Sequence, residues 1–145
     1  MLYQIRLLDR GEFIDRTCKL LAKHNIMIPI GWCLYAHHCT VFYGSEMDIP
    51  DGVQSFIMDW NGKTIDIKIT GIGVSDTCIA FRVEACTVDA RNNRVREFKR
   101  PFSANRVPHI TLFVQKGRHP VESNNIARWI PMDGGLCKGI VEKAH

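Results

Sequence analysis

The chain has 145 residues, of which 46% are hydrophobic and 23% are charged, and its formal net charge at pH 7 is +4. This length is typical of one domain, and the composition, with no linker-like or low-complexity stretch, excludes a largely disordered chain. We therefore expect a single domain over residues 1–145. The longest apolar run, residues 26–36, contains Pro29 and is shorter than the about 20 residues that span a bilayer, so we expect no membrane partner.

The N-terminal segment and the cysteines bear on the compartment. Arg6, Asp9 and Arg10 interrupt the first apolar residues, and no signal-peptide core or cleavage site is evident, so we expect an intracellular protein of the cytoplasm or the nucleus. In such a compartment cysteines remain reduced, and we predict free buried thiols rather than three disulfides. The six are Cys18, Cys33, Cys39, Cys78, Cys86 and Cys137.

The first part of the chain predicts strand, helix and strand. Residues 2–8 are typical of a strand, and Asp9 followed by Glu12 predicts the start of an amphipathic helix that ends near His24. Residues 34–43 then predict a second strand. In a regular strand His37 faces away from its neighbour His38, which favours a structural role for His37.

A second helix and a hairpin follow. Pro50 introduces the helix, and Gly62 supplies its stop. Residues 64–70 alternate strictly between apolar and polar side chains, and residues 78–86 repeat the pattern. Because the turn residue Ser75 lies between them, we predict that these two strands form a hairpin.

The last part of the chain predicts a loop, a strand, a short helix and a final strand. The basic residues 89–106 have no clear apolar period and predict a loop, and residues 109–115 predict a strand. Ser123 is then expected to cap a short helix that Pro131 stops, before a strand over residues 136–141. The sum predicts an α+β fold of mostly antiparallel strands with outer helices.

Two windows of the sequence match each other. They are His38-Cys39-Thr40-Val41-Phe42 and His109-Ile110-Thr111-Leu112-Phe113. Because successive side chains of a strand point to opposite faces, the histidine and the threonine of each window share one face, while the residues between and after them enter the core. Each motif therefore presents an imidazole beside a hydroxyl.

Two such pairs across a cleft suit the hydrolysis of a phosphodiester. The reaction needs a base to activate water and an acid to protonate the leaving oxygen, and histidine, with an ordinary pKa of about 6.5, can take either role. Threonine hydroxyls can donate to the phosphate oxygens without a metal. We predict that His38 and His109 are catalytic and that Thr40 and Thr111 bind phosphate. A single His-x-Thr is a weak signal, and the repetition with matching flanks carries the prediction.

The doubled motif resembles the 2H phosphoesterase superfamily, which is defined by two His-x-Ser/Thr-hydrophobic motifs in two similar lobes of one cleft. More narrowly, the chain looks like the RNA-repair-like branch related to the cyclic phosphodiesterase domain of eukaryotic-type tRNA ligases. The closer likeness rests on the segments AHHCTVFYG, ITGIGVSDTCIAFRV, NRVPHITLFV and HPVESNNIARW, the last followed by LCKGIV. The resemblance implies two pseudo-symmetric lobes of antiparallel strands around one central cleft.

The resemblance also implies a function. It predicts a metal-independent phosphodiesterase, without a cofactor, that hydrolyses a ribonucleotide phosphodiester, with an RNA 2′,3′-cyclic phosphate end as the leading substrate. A 2′,5′-oligoadenylate or cyclic-nucleotide phosphodiesterase of a signalling nucleotide stays open, as does a non-catalytic RNA end-binding module. Because both motifs are intact, catalysis is favoured over binding alone.

A zinc site is not expected near the first motif. Cys33, His37, His38 and Cys39 are zinc-ligand types, but consecutive residues of a strand cannot converge on one ion, and no Cys-x-x-Cys pair is present. We therefore predict no metal.

We expect a monomeric protein that binds RNA or a small ribonucleotide. Other residues are candidates for contacts with that substrate. Tyr43 could stack on a base, and Ser123 lies where helix amides could face an anion. Residues 91–106 form a basic segment, for which a solvated loop is the alternative to a substrate contact. Within it, the stretch from Asn92 to Ser103 is longer and more basic than the family resemblance implies. Its candidate substrate-binding residues are Arg94, Arg96, Lys99 and Arg100.

Overall fold

The protein has a mixed α+β fold in a computed structural model that describes residues 1–99 and 101–144. The helices of these residues are α1 (Arg10–Lys23) and α2 (Asp51–Trp60), with 3-10 segments at Glu46–Asp48 and Pro120–Asn125. The strands of the same residues are β1 (Leu2–Leu7), β2 (Cys33–Leu34), β3 (His38–Tyr43), β4 (Thr64–Val74), β5 (Cys78–Val88), β6 (Val95–Glu97), β7 (His109–Val114), β8 (Trp129–Pro131) and β9 (Leu136–Ala144).

Six of the strands form a closed ring of antiparallel pairs. In this ring β7 pairs with β3, β3 with β1, β1 with β9, β9 with β4, β4 with β5, and β5 with β7 again. The strands β2 and β6 extend the sheet beyond β7 and β5, and β8 pairs with β4. The predicted hairpin of β4 and β5 is confirmed. Both strands extend beyond the alternating residues 64–70 and 78–86 from which they were predicted.

A row of paired core residues crosses the ring. Ile5 lies opposite Cys39, and Cys39 lies opposite Ile110. On the other side of Ile110 the partner is Phe81. All four side chains are fully buried, and the ring of Phe13 on α1 lies 5.9 Å from that of Phe81, measured between centroids. Because side chains alternate along a strand, the neighbours of each row member face away from this core.

The first two of the three helix predictions are confirmed. The side chain of Asp9 accepts a hydrogen bond from the backbone N–H of Glu12, which caps α1 at its start, and the C-cap of α1 is His24. Pro50 precedes α2, and Gly62 follows it with a φ of 81°, which a glycine adopts without strain. Within the described residues, no helix is both long enough and apolar enough to cross a membrane.

Two predictions of regular structure are wrong in the middle of the chain. The strand predicted over residues 34–43 is interrupted, because Ala36 has a φ of 55° and the alternation of side chains restarts at His38. The basic residues 89–106, predicted as a loop, include β6, which pairs with the end of β5. The segment after β6 is held by Phe98 and Phe102, whose rings both contact that of Phe56 on α2.

The helix predicted from Ser123 to Pro131 is also wrong. A 3-10 segment ends at Asn125, and residues 129–131 instead form β8 on β4. Trp129 occupies the face of β4 at Gly73, where a Cβ atom would lie 2.6 Å from the indole ring. The pairing with β4 and the burial against Gly73 are long-range contacts, and they override the local helical pattern.

The cysteines are all free, as predicted. The burial that was expected of them holds for Cys39, Cys78 and Cys86, whereas Cys18 and Cys33 are exposed. Burial raises the pKa of the Cys39 thiol to about 12.

The buried row predicts a large difference between two isoleucines. Ile110→Ala should lower the free energy of unfolding by about 2–5 kcal/mol, because it removes a fully buried side chain and leaves a cavity. Ile30→Ala is the matched control, since Ile30 is fully exposed, and its effect should stay within about 0.5 kcal/mol. Denaturant titration of both variants measures the two values, and equal losses would contradict the assigned core.

Candidate active site

The two His-x-Thr motifs line one cavity of about 810 Å³. β3 supplies His38 and Thr40, and β7 supplies His109 and Thr111. The middle residues of the motifs are paired in the antiparallel sense, so the motifs run in opposite directions across the cavity wall. This register brings each histidine toward the threonine of the other motif. The residues predicted to be catalytic and phosphate-binding are therefore together.

The imidazole of His109 is held on two sides. Its Nδ1 lies 2.8 Å from the carbonyl oxygen of Val107, and its ring lies 6.2 Å from that of Trp129, between centroids. Because a carbonyl can only accept, Nδ1 carries a proton, and Nε2 is the nitrogen that can exchange one. Burial lowers the pKa of His109, and the hydrogen bond to Val107 opposes that shift.

The imidazole of His38 is affected by two other histidines. Its pKa is lowered first by burial, then by the positive charges of His37 and His109. A charge on His109 therefore opposes a charge on His38. Both motif histidines are shifted toward the neutral form, and a proton on one ring disfavours a proton on the other.

A buried serine holds each motif threonine in a different way. The Oγ of Ser103 donates to the backbone carbonyl of Thr40 at 2.7 Å. The Oγ of Ser123 lies 2.9 Å from the Oγ1 of Thr111, a hydroxyl to hydroxyl contact. Ser103 and Ser123 are 5% and 1% exposed. The first threonine is thus held through its backbone and the second through its side chain.

Two polar residues of the cavity wall were not predicted from the sequence. They are Asn105 and His119. Each begins a segment that carries the resemblance, but no spacing rule marks either of them. Asn124, which follows the candidate Ser123, also lines the wall. Among the described residues, the cavity wall includes no Lys, Arg, Asp or Glu, so its ionisable groups are imidazoles and phenols.

Two aromatic predictions have different outcomes. Tyr43 lines the cavity and is 78% exposed, which leaves its ring accessible at the rim. His37 was expected to face away from His38, and this expectation is wrong, because the left-handed Ala36 interrupts the strand and both histidines line the same cavity. The structural role expected of His37 stays a prediction. Burial and the nearby charge of Arg10 lower the pKa of His37.

The other candidate substrate contacts lie away from the cavity wall. Ser123 sits inside its 3-10 segment rather than at the start of a helix, and it is buried behind Thr111. Arg94, Arg96 and Lys99 do not line the cavity, and Arg100 lies outside the described residues. Arg96 is opposite Thr87 on β5, five positions beyond the partner of His109, or roughly 16 Å along the strand.

Comparisons with known proteins do not assign a function, so a proposed function depends on the geometry of the cavity. No protein-family model matches the chain, and no curated protein is detectably similar to it in sequence. Within residues 1–99 and 101–144, no three His, Cys, Asp or Glu side chains are grouped so as to hold a metal ion. The cavity wall presents imidazoles, hydroxyls and two side-chain amides.

The charges around His38 predict how its titration responds to substitution. His37→Gln removes a positive charge that disfavours protonation of His38, so the pKa of His38 should rise toward its ordinary value. His119→Gln is the control, because His119 lines the same cavity but is not a cause of the His38 shift. NMR titration of the ring protons measures both. An unchanged or lower His38 pKa in His37→Gln would contradict the assigned coupling.

Proposed function

We propose that the protein is a metal-independent phosphodiesterase of the 2H type. His38 and His109 act as the acid and base, and Thr40 and Thr111 donate to the phosphate. The observation that carries this proposal is the convergence of both His-x-Thr motifs, which are distant in sequence, on one cavity. A repeated motif that was only a strand pattern would not need to place both histidines and both threonines on the same wall.

The proposal includes two pseudo-symmetric lobes, and the order of the strands supports them. The strands β1, β3 and β4 of the first half correspond to β5, β7 and β9 of the second. Exchanging the two sets leaves the pattern of pairings unchanged, because β1–β3 becomes β5–β7 and β4–β5 becomes β9–β1. The contacts β3–β7 and β4–β9 map onto themselves.

A matched irregularity in the two motif strands also supports the lobes. Between β1 and β3 the register skips Val41, the residue after Thr40. Between β5 and β7 it skips Leu112, the residue after Thr111. A β-bulge bends its strand and redirects side chains, so the same bulge at the same motif position gives both threonines the same local backbone.

The chemistry follows from these groups. One imidazole takes a proton from water as its oxygen attacks phosphorus, and the other gives its proton to the ribose oxygen that leaves. The bond from phosphorus to the water oxygen forms, the bond to the ribose oxygen breaks, and a phosphomonoester results. The hydroxyls of Thr40 and Thr111 donate to the non-bridging oxygens as negative charge develops there.

The cavity wall favours a compact substrate with a single negative charge. A phosphodiester carries one such charge, and the imidazoles and hydroxyls meet it without a Lys or Arg from the described part of the wall. The exposed ring of Tyr43 at the rim is placed for stacking on a base. A terminal 2′,3′-cyclic phosphate of RNA meets both conditions, and it is the leading substrate.

A second candidate is a small signalling nucleotide, either a 2′,5′-oligoadenylate or a cyclic nucleotide. The position of the basic side chains away from the cavity favours it, because a small substrate needs no contact with them. The non-catalytic RNA end-binding module has no such observation in its favour.

The main experiment is a substrate panel in chelator. His38→Ala and His109→Ala should each lower turnover of 2′,3′-cyclic, 3′,5′-cyclic or 2′,5′-linked substrates by about 100-fold or more, because each removes a proton-transfer group. His24→Ala is the matched control, since His24 ends α1 and bonds Leu20. Product chromatography measures the rates. Full activity in both motif variants would end the 2H proposal, and activity that needs added zinc or magnesium would end its metal-independence.

The length of the substrate is tested by salt. If the basic segment contacts an RNA chain, oligonucleotide turnover should fall more steeply with salt than mononucleotide turnover, because each phosphate contact releases counterions. Replacing Arg94, Arg96 and Lys99 together with serine should flatten the oligonucleotide slope and spare mononucleotide hydrolysis. Salt titrations of kcat/KM measure both slopes, and identical slopes in the two proteins would favour the small nucleotide.

A further inference from the structure

We propose that Ser123 is a positioning residue that orients the hydroxyl of Thr111 for donation to the phosphate. This inference rests on the proposed phosphodiesterase function. The sequence suggested Ser123 as a substrate contact, but its side chain is 1% exposed and does not line the cavity. Its effect on the reaction must therefore pass through the residue that it touches.

The contact between the two hydroxyls is specific. The Oγ of Ser123 and the Oγ1 of Thr111 lie 2.9 Å apart, a good distance for an O–H to O hydrogen bond. Among the described residues, neither hydroxyl makes another hydrogen bond that would compete with this one. Each hydroxyl has one proton, so two arrangements are possible, one with Ser123 as donor and one with Thr111 as donor.

A bound phosphate selects between the two arrangements. If Thr111 donates to Ser123, its proton points away from the cavity and the phosphate meets a lone pair. If Ser123 donates, the Thr111 proton is free for a phosphate oxygen, and the bond from Ser123 polarises that hydroxyl and makes it a better donor. The order of donation is then Ser123 to Thr111 to phosphate.

The fold keeps Ser123 in this position. It lies in the 3-10 segment Pro120–Asn125, and its carbonyl accepts from the N–H of Ile126, which is buried beside Ala80 and Val114. Directly across the β5–β7 pair, Thr111 faces Ala80, which belongs to the same buried cluster as Ile126. These contacts hold the donor with little freedom, which favours a fixed orientation of the Thr111 hydroxyl.

Among the described residues, the first motif has no equivalent arrangement. Thr40 faces Gln4 across the β1–β3 pair, and its own buried serine, Ser103, donates to the backbone carbonyl of Thr40 and accepts from the backbone N–H of Asn105, without a bond to the threonine hydroxyl. The two threonines are therefore not equivalent, although their strands are bulged in the same way. Thr111 has a side chain oriented by a neighbour, and Ser103 provides a matched buried serine that acts on a backbone.

The test is a double-mutant cycle on a 2′,3′-cyclic mononucleotide. Ser123→Ala should lower kcat by about 10-fold with little change in KM, which is less than the about 100-fold or more lost when a direct oxyanion donor is removed. Thr111→Ala should lower kcat further, and Ser123→Ala should then cost nothing more in the Thr111→Ala background. Equal costs of Ser123→Ala in the two backgrounds would overturn the positioning role.

Controls separate this role from a loss of structure. Ser103→Ala should show the same cost in the wild-type and Thr111→Ala backgrounds, because it acts elsewhere. Ser123→Cys has the shape of serine with a slightly larger and weaker donor, so it should retain the fold and fall between serine and alanine in kcat; a kcat equal to that of wild type would also overturn the role. A wild-type protein that hydrolyses no member of the panel would instead reject the proposed function itself.

Discussion

The pairing of Cys39 with Ile110 is the constraint on which the candidate site depends. It joins β3 to β7, closes the ring of six strands, and places two fully buried residues at the centre of the core. Because strand side chains alternate with a period of two, this one contact sends the flanking histidines and threonines to the opposite face. A slip of one residue would turn the histidines and threonines into the core and the hydrophobic side chains toward the cavity, so the hydrophobic row fixes both the register and the placement of the motif side chains.

The local parts of the structure could be predicted from the sequence because their signals are local. The cap at Asp9, the stop at Gly62 and the alternation on either side of Ser75 each involve a few neighbouring residues, and each feature appears where the pattern indicated. The two motifs belong to the same group. Their inward and outward faces follow from alternation alone, and only their meeting in one cavity required the fold.

The features that could not be predicted depend on contacts between distant segments. Residues 129–131 form a strand because β4 offers them a free edge and Gly73 leaves room for Trp129. His37 reaches the cavity because Ala36 adopts a left-handed conformation that no local pattern required. Nothing in the sequence marks Ser103, and the sequence marks Ser123 only as a helix cap, so the contacts of both serines with the motif threonines depend on the fold.

The burial of Cys39 has a consequence for reactivity toward oxidants and alkylating agents. Cys39 lies between His38 and Thr40 in the chain, but its side chain faces the core. The thiol is fully buried and its pKa is raised to about 12, so almost no thiolate forms at neutral pH. Cys18 and Cys33 are exposed, so we expect them to react first. Modification of Cys39 requires β3 to separate from its neighbours, so the rate at which that thiol is labelled reports how often the centre of the ring opens.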